Sequence, residues 1–98
     1  MELTIRADGA EAAGSLRAAL DEVGEFELSE EDAVVGVVGD AGNASALAAA
    51  LSVWLQRQPP GSGMTLETGT QVLTVHAGDP RAAIALTEAV TRAGGGAE

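Results

Sequence analysis

The chain contains no cysteine, no lysine and no tyrosine, and its only aromatic residues are Phe26 and Trp54. Without cysteine there is no disulfide framework, no thiolate metal site and no thiol nucleophile. Cations are scarce as well. Five arginines (Arg6, Arg17, Arg57, Arg81 and Arg92) are scattered against 15 Asp+Glu, giving a formal charge of -10 at pH 7 and a pI near 4.2. A nucleic-acid binder must neutralise phosphates with clustered cations, so this balance argues against one. What is abundant is alanine, glycine and acid. A length of 98 residues makes one small domain, which buries only ~60–70% of the surface its unfolded chain exposes. Alanine favours helices but contributes little buried area per residue, so a modest core is expected.

Met1–Arg6 shows no basic start followed by an apolar run, the pattern of a secretory signal, and a cytoplasmic location is expected. The longest apolar stretch, 33–55, is long enough to cross a bilayer at ~20 residues. Asp40 and Asn43 interrupt it among glycines, and a central Asp costs ~2.5–3.5 kcal/mol on insertion scales, which argues against a span.

Hydrophobic period and punctuation divide the chain into elements. Leu3, Ile5 and Ala7 alternate with Thr4 and Arg6, the pattern of a half-buried strand near 2–7. Leu16, Ala19, Leu20 and Val23 fall at helical spacing over about 10–23, and Gly24 supplies a stop. Residues 25–28 alternate again. Ser29-Glu30-Glu31-Asp32 has the chemistry of a helix start, a serine cap followed by acids that the helix dipole favours, and predicts a short helix over about 30–38. The β-branched run Val34-Val35 and Val37-Val38 also suits a buried strand. Asn43 can cap a helix over about 43–58, in which Ala44, Leu47, Ala48, Leu51, Trp54 and Leu55 form a broad stripe and other alanines fill much of the remaining circumference. Such a helix is buried on more than one side. After the Pro59–Gly63 loop, strands near 63–68 and 71–77 flank a Thr68-Gly69-Thr70 turn, and Asp79-Pro80 opens a last helix over about 80–93. The expected fold is therefore α+β: one four-stranded sheet with helices packed mainly on one face, a single domain over 1–93 and a flexible glycine-rich tail at 94–98.

Chemistry is harder to find. The Gly36–Gly42 segment ahead of a helix invites a phosphate-loop reading, but its spacing matches neither dinucleotide nor P-loop patterns, no lysine follows, and Asp40 would repel an anion. Close backbone packing is the simpler account. His76 alternates opposite to Leu73 and Val75, so it belongs on the other face of its strand, and no serine sits in a GxSxG elbow. The acids Glu30, Glu31 and Asp32 lack calcium-loop spacing. No catalytic residue, cofactor or metal site is assigned. Trp54 is either the one large core filler or, since tryptophan is enriched in hot spots, part of an interface. With Leu47, Leu51 and Leu55 it makes the candidate interaction stripe, and covering an over-apolar helix with a second copy or a partner would remove an exposed patch.

A Gly/Ala-rich segment, Gly42-Asn43-Ala44-Ser45-Ala46-Leu47-Ala48-Ala49-Ala50-Leu51, runs into Ser52-Val53-Trp54-Leu55-Gln56-Arg57, followed by a Pro/Gly loop, the Thr65-Leu66-Glu67 strand, a glycine turn, a second strand and the Asp79-Pro80 helix. This order resembles the small actinobacterial family called the effector-associated constant component, and the Trp-Leu-x-Arg end of the alanine-rich helix is its distinctive part. The resemblance implies a non-enzymatic accessory or adaptor protein that accompanies caspase-like or trypsin-like peptidases in bacterial antiphage and conflict systems, and it carries over no catalytic residue. Similar proteins often have several arginines after the Trp-Leu, whereas Arg57 stands alone here. Other readings are a small-ligand sensor using Gly36–Gly42 and a membrane-active or oligomerising component acting through 33–55.

Overall fold

The computed structural model describes residues 2–69 and 71–95. In chain order these form β1 (Glu2–Arg6), α1 (Ala10–Val23), β2 (Phe26–Glu31), β3 (Val34–Gly39), a 3-10 turn (Ala41–Asn43), α2 (Ala44–Gln56), β4 (Gly63–Glu67), β5 (Val72–His76) and α3 (Ala82–Gly95). The architecture is α+β, as its alternation of strand and helix periods predicts. Among the described residues the sheet has five strands in the order β2-β3-β1-β4-β5, with every neighbouring pair antiparallel. The first strand of the chain is therefore the central one.

Register explains how the sheet acquires two unlike faces. Leu28 pairs with Val37, Val37 with Leu3, Ile5 with both Val35 and Leu66, Leu66 with Leu73, and Met64 with Val75. Because side chains alternate along a strand, these residues share one face. On it Leu3, Ile5, Val35, Val37, Met64, Leu66 and Val75 are buried in one core with Leu16 and Leu20 of α1, Leu47 and Leu51 of α2, and Leu86 and Val90 of α3. Among the described residues no polar or charged residue is buried with them. The large fully buried side chains are mostly leucine, and alanine is concentrated on the helices, with Ala13, Ala44, Ala48 and Ala82 all buried. α2 lies with α1 on one flank and α3 on the other. The indole N–H of Trp54, a ring only 4% exposed, donates to Ser15 Oγ at 3.1 Å and so ties α2 to α1.

The structure corrects the sequence reading at one major point. No helix occupies 30–38. The expected strand at 25–28 extends to Glu31, and Val34–Gly39 is a fifth strand, β3, joined to β2 across Asp32 and Ala33. Ser29 and Glu31 stand on the open side of β2, while Glu30 turns inward to meet Arg17 of α1 at 3.8 Å. Asp32 takes φ 54, a left-handed turn conformation that aspartate tolerates better than most residues. The acids that resemble a helix start are thus a strand end and a turn, and the valines behind them fill a strand paired on both sides.

Smaller differences follow local chemistry. Asn43 precedes α2, but its side chain makes no cap hydrogen bond, because the 3-10 turn at Ala41–Asn43 enters the helix instead. Asp79 caps the turn that leads into the last helix, its Oδ1 accepting the Arg81 N–H at 2.9 Å, and the helix itself begins at Ala82 rather than at Pro80. Gly24 closes α1 at φ 76. α3 continues through Gly94 and Gly95, where a tail was expected to begin; the remainder of that tail, 96–98, lies outside the described residues, as does Thr70 of the predicted turn.

The hairpin makes a prediction that a helix over 30–38 would reverse. Asp32→Gly keeps or slightly raises stability, since glycine adopts positive φ freely. Asp32→Val, which a helix interior would accept better than glycine, lowers stability by about 1–2 kcal/mol at this left-handed position. Thermal or urea unfolding of the two variants checks the order.

Candidate functional site

Three places could carry function: the predicted stripe on α2, the cavity near His76, and the open face of the sheet. The stripe residues come together, but in the interior. Leu47 and Leu51 are 0% exposed, Leu55 3% and Trp54 4%. The chain itself covers them, with α1, α3 and the sheet, so they shape α2 chiefly from beneath, and of the four only Trp54 and Leu55 also border a surface cavity. What α2 shows outward is the ridge Ala46, Ala49 and Val53, with Val53 48% exposed. This ridge borders a groove of about 480 Å³ between α1 and α2, lined by Ala19, Val23, Ala50 and the edge of Trp54 and rimmed by Glu22 and Arg57. Sequence showed a helix apolar nearly all round. Which side faced outward depended on where α1 and α3 lay, and no local signal contains that.

Ser52, His76 and Asp79 line one cavity of about 280 Å³ at the start of α3. They are not wired together. His76 is exposed on the open side of β5, as its alternation predicts, with its ring lying over Gly63. Asp79 uses Oδ1 to cap the turn that leads into α3. Ser52 Oγ is sealed from solvent with no hydrogen-bond partner among the described residues. A nucleophile, base and orienting acid need to be linked by hydrogen bonds, and here none of the links is made.

The Gly36–Gly42 segment is not a loop ahead of a helix. Gly36 and Gly39 lie in β3, and their missing side chains make room for cross-strand neighbours. A Cβ at Gly36 would stand 2.5 Å from Ser29 Oγ, and one at Gly39 2.6 Å from Phe26 Cδ1. The 33–55 stretch is divided between β3, the 3-10 turn and α2, and no helix among the described residues is long and apolar enough to cross a membrane. Among them, too, no group of three or more His, Asp or Glu is arranged to hold a metal ion.

The open sheet face remains. It carries Glu2, Glu27 and Glu31, the ion pair Arg6–Glu67 at 3.3 Å, and a Thr65–Thr74 hydroxyl contact at 3.2 Å. Around the β2–β3 turn it forms a depression of about 550 Å³ that includes Thr4, Arg6, Ser29 and Glu31. The surface is polar and acidic.

These features define a small α+β domain whose prominent features are surfaces for contact. The family model for Effector Associated Constant Component 1 matches residues 4–91, and the chain belongs to that family. The match runs from the middle of β1 into α3 and takes in β2 to β5 whole. No curated protein matches the chain, and no solved structure matches it.

The unpaired Ser52 hydroxyl yields a test. A buried hydroxyl without a partner costs about 1–3 kcal/mol in desolvation. Ser52→Ala is therefore expected to hold or raise the melting temperature, and a fall would show that the hydroxyl is engaged in solution.

Proposed function

We propose that this chain is a non-catalytic accessory module that docks on a protein effector, a caspase-like or trypsin-like peptidase of a bacterial antiphage or conflict system, in the cytoplasm. The observation that carries the reading is membership, over residues 4–91, in a family named for association with effectors. The unlinked Ser52, His76 and Asp79 supply no competing catalytic set. A formal charge of -10 favours a partner with a basic contact surface and disfavours nucleic acid through the long-range field.

Within this reading the docking face is the groove between α1 and α2. Val53 stands on its floor's outer edge, and the buried quartet Leu47, Leu51, Trp54 and Leu55 acts indirectly, by holding α2 at the height that leaves the groove open. A residue half exposed on a ridge of alanines can meet a partner's side chain with little conformational cost on either side.

The experiment is recovery of a caspase-like or trypsin-like peptidase from the native host by pull-down, using wild type, Val53→Glu and His76→Ala. Wild type and His76→Ala recover the peptidase equally, while Val53→Glu, folded by circular dichroism, recovers about tenfold less, corresponding to about 1.4 kcal/mol of binding free energy. Equal recovery by Val53→Glu moves the docking face elsewhere. Loss of pathway activity in a folded His76→Ala variant overturns the non-catalytic reading.

A further inference from the structure

The two edges of the sheet are built differently. β2, at one edge, carries Glu27, Glu30 and Glu31, followed by Asp32 at the turn. Charge on an edge strand discourages pairing with another copy, since like charges would face each other across the new ladder. β5, at the other edge, reads Val72-Leu73-Thr74-Val75-His76: β-branched and apolar, with no acid, no arginine and no proline. Val72 is 71% exposed, the highest value of any large hydrophobic residue among those described. The strand itself carries none of the charge or proline that commonly guards an edge; the nearest charges, Glu88 and Arg92, belong to α3 and stand beside Val72 and Leu73.

Its backbone is aimed outward in a definite pattern. Ala77 N–H donates to Ser62 at 2.8 Å, and Gln71 C=O accepts from Thr68 at 2.9 Å, so residues 71 and 77 face β4. Alternation along an antiparallel strand turns Leu73 and Val75 the same way and directs the N–H and C=O groups of Val72 and Thr74, with the N–H of His76, away from the sheet. Among the described residues no strand pairs with that side.

We propose that β5 is a self-pairing edge, at which a second copy of this chain adds its own β5 antiparallel about a two-fold axis at Thr74. The register is self-complementary. Val72 of one copy lies opposite His76 of the other, and Leu73 opposite Val75, so the apolar face under α3 continues across the junction. The helix above adds charge complementarity. Arg81, in the turn just ahead of α3, and Glu88, within the helix beside Val72 and Leu73, are both exposed, and a two-fold axis at Thr74 that runs α3 against its copy would carry Arg81 of one chain toward Glu88 of the other. An isologous contact of this kind closes on itself. It joins the two inner faces into one larger sheet and leaves the groove between α1 and α2 free, so it stands or falls separately from effector docking.

Sedimentation velocity from low to high micromolar concentration, with amide hydrogen exchange on the same samples, tests the proposal. Wild type is expected to dimerise, with protection of the Val72, Thr74 and His76 amides rising with concentration while Leu73 and Val75 stay protected throughout. Val72→Lys, at a position already in solvent, weakens the dimer about tenfold or more. Arg81→Glu and Glu88→Arg each weaken it, and the double variant restores it. A chain monomeric at every concentration overturns the proposal. So does a dimer indifferent to Val72→Lys, which would use another face, and so does protection of the three outward amides that appears only when the peptidase is added, which would make the added strand the effector's.

Discussion

The seating of α2 between α1 and α3 is the contact on which the rest of the structure depends. Ala13, Ala44, Ala48 and Ala82 of the three helices are buried in the core, and small side chains on packed helices let their axes approach closely. Close axes allow three helices to cover one face of a five-stranded sheet, and each then points its leucines and valines into a single core with the strands. Alanine contributes little buried area by itself. Its effect here is to bring Leu16, Leu20, Leu47, Leu51 and Leu86 to the depth at which they are fully buried. Trp54 fixes the arrangement, because its ring fills the space between α1 and α2 and its N–H finds Ser15 rather than remaining unpaired.

With the helices covering one face, the other face of the sheet is left to polar and charged side chains. The open sheet face holds Glu2, Glu27 and Glu31 and only one arginine, Arg6, which Glu67 already engages. Acid is thus concentrated at the β2 end of the sheet, and the β5 end is nearly neutral.

Much of this was legible in the residues. The strands at Leu3–Ile5, Met64–Leu66 and Leu73–Val75, the first and last helices, the Asp79 cap, the Gly24 stop and the placement of His76 on the solvent side all follow from period and local chemistry. The family follows from the order of segments around Trp54-Leu55-Gln56-Arg57. The segment after Ser29 was misread because its local signals point to a helix, while the deciding interactions are distant: Val35 and Val37 pair with Ile5 and Leu3, some thirty residues away. Tertiary pairing overrides a helix-start signature here because the strand is paired on both sides and buries Val35 and Val37. For the same reason the stripe on α2 was visible but its outward side was not. Leu47 and Val53 look equally apolar in sequence, and only the positions of α1 and α3 make one a core residue and the other a surface residue.

The central place of β1 has a kinetic consequence. The β2–β3 and β4–β5 hairpins are local, each closed by a short connection, and each can form early by itself. β1 precedes both yet lies between them, paired with β3 on one side and β4 on the other, so it cannot be paired on both sides until both hairpins exist. Until then at least one of its edges is open. The sheet therefore closes last at the first of its strands in chain order, and a nascent chain of this kind is most exposed to aggregation not while α2 emerges but in the interval before β4 reaches β1.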